Sequence, residues 1–104
     1  MSRSIQPCVY RLANRMRGAL YIGVTSSLIL RISQHKAKLA DGFTRRYGID
    51  KLVWYEIYET MTSAIAREKA MKEWQRAWKI ELIERTNAEW RDLYSELIAA
   101  GAYV

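Results

Sequence analysis

The stretch from Tyr21 to His35 reads YIGVTSSLILRISQH and decides the fold of this chain. Its opening letters, YIGV, favour a strand, and the small polar letters TSS that follow offer side-chain oxygens that can cap a helix. The remaining letters, LILRISQH, carry apolar residues at helical spacing. The stretch therefore predicts a strand that turns directly into a helix, a common arrangement for presenting side chains and backbone N–H groups to an anion.

An antiparallel hairpin is predicted immediately before and within this stretch. Cys8–Ala13 is rich in strand formers, and the polar segment Asn14–Gly18 ends in glycine, as a hairpin loop should. Ala19–Val24 is then the return strand. Side chains alternate between the faces of a strand, so a suitable register would bring Tyr10 and Tyr21 together on one face.

The helix is expected to run from about Ser27 to Ala40. Three apolar side chains share its core-facing stripe: Leu28, Ile32 and Leu39. Arg31 and His35 are four residues apart, which makes them neighbours on the helix surface at the border of the apolar stripe. Their position indicates a polar pair that borders the core.

Beyond this helix the chain is predicted to turn, extend and become helical again. Asp41–Gly42 should end the helix, and Phe43–Gly48 is expected to form an irregular basic and aromatic connection. Lys51–Glu59 gives the strongest strand signal of the chain, with valine, isoleucine and three aromatic residues. The order of elements predicts an α+β domain with a small antiparallel or mixed sheet.

A long helical region should follow, capped by Thr62 or Ser63 and reaching about Arg85, with a possible break at Trp74–Arg76. Glu68 flanks its apolar stripe, whose members are Ala64, Met71, Trp78 and Leu82. In a domain of this size the tryptophans are expected in the core rather than as platforms for bases. They are Trp54, Trp74, Trp78 and Trp90.

The C-terminal part of the chain carries a capping-box pattern. Thr86 and Glu89 have the spacing of a capping box, which predicts a last helix through about Ile98. The tail Gly101–Val104 is expected to fray. With 104 residues, the chain 1–104 is interpreted as a single domain.

The composition narrows the function classes. Seventeen Lys and Arg against eleven Asp and Glu give a formal charge of +6 and a pI near 9.7. Such an excess favours a polyanion as partner, because electrostatic steering and counterion release both assist binding. The single cysteine, Cys8, excludes an internal disulfide and fits a cytoplasmic setting. No apolar run is long enough to span a membrane, and the sequence does not reveal an oligomeric state.

Five residues suit the cleavage of a phosphodiester bond. The guanidinium of Arg31 can donate paired hydrogen bonds to phosphate oxygens and keeps its charge. Glu68 suits one divalent cation such as Mg²⁺, which accepts a carboxylate together with waters and substrate oxygens. Tyr10, Tyr21 and His35 can transfer protons and orient water. The lack of acidic clusters favours a site with one metal ion.

Each of these residues also has an ordinary structural interpretation. The two tyrosines could be a cross-strand aromatic pair, Arg31 a solvated helix residue, and His35 a hydrogen-bonded core residue. Glu68 could simply pair with Lys72 one helical turn away. Asn87 precedes a predicted helix and could be a routine cap. None of these interpretations explains why all the residues occur together.

The same residues, in order and spacing, resemble the GIY-YIG endonuclease domain. Val9–Tyr10 is followed eleven positions later by Tyr21–Gly23, and then by Arg31, His35, Glu68 and Asn87. Stretches such as GFTRRYG, LVWYE, AREKAMKEW, RAWKIELIE and NAEWRDLY are similar to those of small stand-alone bacterial GIY-YIG proteins. The resemblance covers about residues 7–94, nearly the whole chain.

The resemblance implies a three-stranded antiparallel sheet flanked by helices, and metal-dependent hydrolysis of DNA. Tyr10 would be the general base or hold the attacking water with the support of His35, and Tyr21 would orient water or phosphate. Arg31 would bind phosphate and Glu68 would bind Mg²⁺ or another divalent cation. In a supporting position, Gly23 would permit close backbone approach, and Asn87 would lie at the rim of the site or behind it.

The first motif departs from the family pattern, because it reads Cys8–Val9–Tyr10 and lacks the initial glycine. The tyrosine that carries the chemistry is retained, so only local backbone freedom is affected. The leading hypothesis is a structure-selective or weakly specific DNA endonuclease. A catalytically weak nucleic-acid-binding module and a scaffold that binds proteins through aromatic residues are the alternatives.

Overall fold

A three-stranded antiparallel sheet with helices on both faces forms the core of the protein. The computed structural model describes residues 6–40 and 42–101. Within these ranges the strands are β1 (Cys8–Ala13), β2 (Leu20–Thr25) and β3 (Lys51–Ile57), and the helices are α1 (Leu28–Lys36), α2 (Gly42–Tyr47), α3 (Met61–Lys72), α4 (Arg76–Thr86) and α5 (Leu93–Ala99). None of these helices has the length and apolar character that crossing a bilayer requires. The predicted α+β class with a three-stranded antiparallel sheet is confirmed.

The central strand β1 is covered on both faces. All six of its residues are buried, and the sheet order is β2-β1-β3. Cys8, Tyr10 and Leu12 pack with α1 and α5, whereas Val9 and Ala13 pack with α3 and α4. Because successive side chains of β1 point to opposite faces of the sheet, the strand contributes to two separate hydrophobic clusters.

The pairing of β1 with β2 sets the register of the hairpin. Tyr10 lies opposite Gly23, and Leu12 lies opposite Tyr21. Tyr10 and Tyr21 consequently share a face, with ring centroids 6.3 Å apart, as the alternation predicted. The return strand ends one residue later than predicted, at Thr25, and lies at the edge of the sheet.

Helix α1 is shorter than its apolar pattern predicted. It ends at Lys36, and Lys38 takes a left-handed backbone conformation with φ of 64°. The N–H groups of Lys38 and Leu39 bond back to the carbonyls of His35 and Gln34, which is the pattern of a Schellman motif. Leu39 is 78% exposed, so its predicted place in the core stripe is wrong.

The segment predicted as an irregular connection contains the short helix α2. GFTRRY lacks apolar periodicity, but Thr44 is buried and its carbonyl accepts a hydrogen bond from the N–H of Ile49. Gly48 then adopts φ of 64°, which ends the helix. Asp41, the other residue predicted to end α1, lies outside the described residues.

The predicted break in the long helical region is confirmed, since α3 ends at Lys72 and α4 begins at Arg76. Two details of the prediction are wrong. Thr60 caps α3 by accepting a hydrogen bond from the N–H of Ser63, so the cap is not Thr62 or Ser63. Trp78 is 53% exposed and does not continue the core stripe.

The last helix begins later than the capping-box pattern predicted. Thr86 is the final residue of α4, and the cap of α5 is Asp92, whose carboxylate accepts hydrogen bonds from the N–H groups of Tyr94 and Leu52. Asp92 also pairs with Lys36 at 2.5 Å. These contacts of Asp92 with β3 and α1 decide where the helix begins, and the local capping-box pattern does not. The strand β3 ends at Ile57 rather than at the predicted Glu59, and residues 102–104 of the predicted fraying tail lie outside the described residues.

Candidate active site

An open cleft follows the edge strand β2 and has a volume of about 480 Å³. Five of the residues predicted for the site line it: Tyr10, Tyr21, Gly23, Arg31 and Glu68. The other lining residues are Arg11, Leu20, Ile22, Val24, Lys72 and Lys79. The cleft thus gathers side chains from both faces of the sheet around one strand.

The absence of a side chain at Gly23 creates the place where the Tyr10 ring lies. Gly23 is the cross-strand partner of Tyr10, and a Cβ added there would lie 2.5 Å from both Cζ and Oη of the ring. No rotation of a flexible side chain would relieve such an overlap, because the ring is packed in the core and only 1% exposed. The glycine of the second motif therefore positions the tyrosine of the first.

The hydroxyl of Tyr10 begins a buried chain of hydrogen bonds. Tyr10 Oη lies 3.0 Å from Nε2 of His35, and His35 Nδ1 lies 3.1 Å from Oγ1 of Thr44. All three side chains are buried. When the imidazole carries its hydrogen on Nδ1, Thr44 accepts that hydrogen and Nε2 accepts the hydrogen of the Tyr10 hydroxyl.

Burial raises the pKa of Tyr10 to about 12, although the neighbouring Arg31 guanidinium acts in the opposite direction. Tyr10 is therefore a neutral phenol near pH 7. Hydrogen bonding to Tyr10 in turn holds the pKa of Arg31 above its ordinary range. The guanidinium of Arg31 also donates to Oε1 of Gln34 at 3.2 Å, and the half-buried side chain borders the cleft as a permanent cation.

Tyr21 completes an aromatic cluster with Tyr10 and His35, where their buried hydrogen bond borders the cleft. Its ring centroid lies 6.3 Å from that of Tyr10 and 5.4 Å from that of His35, the latter in an edge-to-face arrangement. Because Tyr21 is only half-buried while Tyr10 is buried, its hydroxyl end is the more accessible of the two to a ligand in the cleft.

The opposite wall of the cleft is built by charged residues of α3 and α4. Glu68 is buried on α3, and its Oε2 lies 3.1 Å from Nζ of Lys72 one turn later. This is the ordinary helical pair that the sequence also allowed. Lys72 is largely exposed, so the pair is weak and can open when another cation approaches.

Arg11 and Lys79 were not predicted for the site. Arg11 is 1% exposed, donates from Nη2 to the carbonyl of Met71 at 3.3 Å, and is attracted electrostatically to Glu68. Burial lowers its pKa to about 10. Burial and the nearby Arg11 and Arg76 likewise lower the pKa of Lys79. An arginine within a strand of otherwise apolar residues is the sequence signal that could have indicated Arg11.

Asn87 does not line the cleft. Its amide donates to the carbonyls of Val53 and Arg91 at 3.1 and 2.9 Å, and its Oδ1 accepts from the N–H of Arg91 at 3.0 Å. The buried side chain therefore joins β3 to the turn between α4 and α5. Asn87 is the C-terminal cap residue of α4 rather than the N-terminal cap of the next helix.

The donor set fits one hard divalent cation. Within residues 6–40 and 42–101, no group of three or more His, Cys, Asp or Glu side chains converges on a point that could hold a metal. Glu68 alone borders the cleft as a carboxylate, which matches the way Mg²⁺ is held by one or two carboxylates together with waters and phosphate oxygens. A cage made only of protein ligands does not exist in this part of the chain.

A three-stranded antiparallel sheet with paired tyrosines, a glycine beneath one ring and an arginine on the following helix defines the class of GIY-YIG catalytic domains. The family model described as the GIY-YIG catalytic domain matches residues 6–81, so the chain belongs to this family. The resemblance read from the sequence is confirmed.

Two curated relatives are small proteins of the UPF0213 group. One, from Clostridium perfringens, is 37% identical over 65 residues, which cover 62% of this chain and 70% of the relative. Another, from Haloquadratum walsbyi, is 32% identical over 66 residues, which cover 64% of this chain and 74% of the relative. No solved structure gives a significant match to the chain. Family membership indicates a nuclease-type domain with nucleic acid as its substrate class.

Proposed function

We propose that this protein is a metal-dependent endonuclease that hydrolyses phosphodiester bonds in DNA. The observation that carries the proposal is the cleft along β2, where the Tyr10–His35 hydrogen bond and Arg31 lie on one side and Glu68 lies on the other. Hydrolysis of a phosphodiester requires a positioned and deprotonated oxygen nucleophile and stabilisation of the charge on the phosphate oxygens. Tyr10 and His35 serve the first requirement, and Arg31 together with Glu68 serves the second.

Tyr10 and His35 together form the base. The phenol is neutral near pH 7, so it cannot simply take a proton as a preformed phenolate. As the water oxygen bonds to phosphorus, Tyr10 Oη accepts the proton of the water and passes its own proton to Nε2 of His35. Thr44 fixes the ring of His35 through Nδ1, and so keeps Nε2 available as the acceptor.

Arg31 and Tyr21 hold the scissile phosphate. The guanidinium has a raised pKa and remains charged throughout the reaction, so it stabilises the negative charge that grows on the non-bridging oxygens. The more exposed hydroxyl of Tyr21 orients the water or a phosphate oxygen. Both side chains belong to the strand-turn-helix that follows the hairpin.

Glu68 is the protein ligand of the divalent cation. A bound Mg²⁺ supplies Lewis-acid stabilisation of the phosphate and of the departing oxygen. The carboxylate must leave Lys72 to bind the metal. Because Lys72 is exposed, breaking this ion pair costs little free energy. Arg11 also lines the cleft and is attracted electrostatically to Glu68.

The cleft is open and offers few specific contacts, which favours structure-selective or weakly specific cutting. Basic residues on the wall opposite Tyr10 attract the sugar-phosphate backbone without reading bases. A reducing cytoplasmic location remains part of the proposal, because the single cysteine of the chain, Cys8, is buried and forms no disulfide within the chain.

A nicking assay on supercoiled plasmid and branched DNA tests this function. We expect cutting with Mg²⁺, none with EDTA, and at least a hundred-fold loss in Arg31→Ala and Glu68→Gln. Glu73→Gln, an exposed carboxylate at the end of the same helix, is the matched control and should cut normally. Undiminished cutting by Glu68→Gln would remove Glu68 from the metal site.

A catalytically weak nucleic-acid-binding module is the second candidate. The observation that favours it is the Glu68–Lys72 pair, which occupies the one carboxylate that lines the cleft among the described residues. Purified protein that shifts DNA in a salt-dependent manner but cuts neither plasmid nor branched DNA with Mg²⁺ or Mn²⁺ would establish this second function.

A further inference from the structure

A second cavity, of about 300 Å³, lies on the outer side of α3 and α4. Its lining residues are Arg67, Trp74, Trp78, Glu81, Leu82 and Arg85. None of them belongs to the cleft along β2, so the cavity is a separate feature that the proposed chemistry does not use.

Trp78 is the most unusual of these residues. Its indole is 53% exposed, although tryptophan is highly buried on average. The ring contacts Trp74 edge to face, with centroids 6.3 Å apart. Trp74 is half-buried against the core and keeps this arrangement rigid. A large aromatic face is therefore held towards solvent by a fixed neighbour.

The cavity is lined by two arginines and, among the described residues, by one acidic side chain, that of Glu81. The guanidinium of Arg67 stacks over the Trp74 ring at 5.3 Å from its centroid, and its Nε lies 3.6 Å from Oε1 of Glu56. Glu81 pairs with Arg85 at 3.1 Å, and both ion pairs are accessible to solvent, so a phosphate can replace either carboxylate. An exposed indole beside two arginines is complementary to a nucleotide, whose base stacks and whose phosphate carries negative charge.

The cavity also lies close to the cleft. Arg67 lines the cavity and the adjacent Glu68 lines the cleft, just as Trp78 and the adjacent Lys79 do on α4. Consecutive helical residues point about 100° apart, so the two sites are separated by roughly one helix width, about 10 Å. A DNA strand with the spacing of stacked bases covers this distance in about three nucleotides, and an unstacked strand covers it in fewer.

We propose that Trp78 stacks on an unpaired base of the DNA strand whose phosphate lies in the cleft, with Arg67 and Arg85 binding the adjacent phosphates. The inference rests on the proposed function and makes it more specific, because duplex DNA keeps its bases stacked and cannot reach the indole. Substrates with a single-stranded segment a few nucleotides from the cut are then preferred.

Fluorescence anisotropy with a labelled single-stranded oligothymidylate in EDTA tests the site without cleavage. We expect Trp78→Ala to weaken binding about ten-fold, Trp78→Phe to retain most of it, and binding to a blunt duplex of equal length to change little. Ile98→Ala, at a residue of α5 with 50% exposure, is the matched control for loss of an exposed apolar side chain. Thermal unfolding should confirm that all variants fold.

Parallel plasmid nicking separates the two proposals. If Trp78→Ala binds single strands like the wild type while both nick plasmid, the stacking site is refuted and the nuclease assignment stands. A change in molar mass by light scattering in Trp78→Ala, without a change in DNA binding, would also refute it and assign the face to contact between copies of the chain. If the wild type neither binds nor nicks, both proposals fail.

Discussion

The two sides of the edge strand β2 differ in the charge and burial of the side chains that lie there. On the α1 side, Tyr10, His35 and Thr44 are buried and joined by hydrogen bonds. Because Tyr10 is neutral near pH 7, we call this the neutral side. On the α3 and α4 side, which is the charged side, Glu68 lines the cleft together with three cationic groups, those of Arg11, Lys72 and Lys79. The cleft is the place where these two environments meet.

This difference separates two tasks that a phosphodiesterase must perform. Proton transfer requires groups whose positions are fixed within tenths of an ångström, and the buried neutral chain provides such positions. Binding of a polyanion and a metal requires charges that can exchange partners, and the accessible pair of Glu68 and Lys72 provides them. Changes to the buried Tyr10–His35 pair should therefore affect the rate of cutting, and changes to the accessible cations on the second side should affect binding.

The largest effect is expected from removing one oxygen on the neutral side. Tyr10→Phe keeps the ring over Gly23 but removes the group that passes the proton to His35. Nicking should fall about a hundred- to ten-thousand-fold, while DNA affinity in EDTA changes little. Tyr55→Phe, the cross-strand neighbour of Tyr10 on β3, is the control. Retention of more than a tenth of the activity in Tyr10→Phe would show that another group is the base.

Alkaline pH should destabilise the fold through two buried groups of the neutral side. Burial raises the pKa of Cys8 from 9.0 to about 12, and that of Tyr10 from 10.0 to about 12. The unfolded chain loses these protons first, so the stability that these two groups contribute is full below about pH 9 and is lost as pH rises towards 12. Each group contributes about 1.4 kcal/mol per pH unit within its window.

Urea unfolding on either side of this window measures the effect. The unfolding midpoint of the wild type should drop between about pH 8 and about pH 11. Cys8→Ala and Tyr10→Phe should each show a shallower drop, because each removes one of the groups. Identical slopes in all three proteins would mean that neither group resists ionisation in the fold.

A methyl group at position 23 should disturb the junction between the two sides. In Gly23→Ala the new Cβ overlaps the Tyr10 ring, so either the ring or the β1–β2 pairing must move. We expect a loss of about 1–3 kcal/mol in stability from overpacking, with a further loss of activity from the misplaced hydroxyl. Gly42→Ala is the matched control, since a Cβ there meets nothing within 4 Å.

The smallest effect is expected from one cation on the charged side. Lys79→Met should weaken DNA binding a few-fold and lower the salt slope of log affinity by about one, because one phosphate contact is lost. Saturating DNA should restore the wild-type cutting rate. Lys51→Met, an exposed cation at the start of β3, should leave the slope unchanged. A lowered rate at saturation would give Lys79 a part in the chemistry.

The sheet and the neutral side were largely predictable because their signals are local. Strand formers and a polar loop predicted the hairpin, and period-two alternation placed Tyr10 and Tyr21 on one face. The spacing of Arg31 and His35 predicted neighbours on one helix. What alternation did not predict is that Tyr10 occupies the space above Gly23, because this depends on the register between two strands.

The errors arise where distant contacts decide the outcome. Leu39 fits the helical period, but Lys38 adopts a left-handed conformation and ends α1 earlier. The Thr86–Glu89 pattern is a local signal that predicted the wrong start for the last helix. The helix is capped instead by Asp92, which is bound to β3 and α1. Trp78 fits the stripe of α3 only if the helix is continuous, and the break before Arg76 turns it to solvent.

The fit of the Tyr10 ring over Gly23 also constrains how such a protein can evolve. Any side chain at position 23 collides with the ring, whereas a smaller residue at position 10 removes the collision. Descendants that lose activity should therefore lose the tyrosine before the glycine, and the two positions should vary together. A chain of this kind that has alanine at position 23 and tyrosine at position 10 should be rare, even among inactive copies.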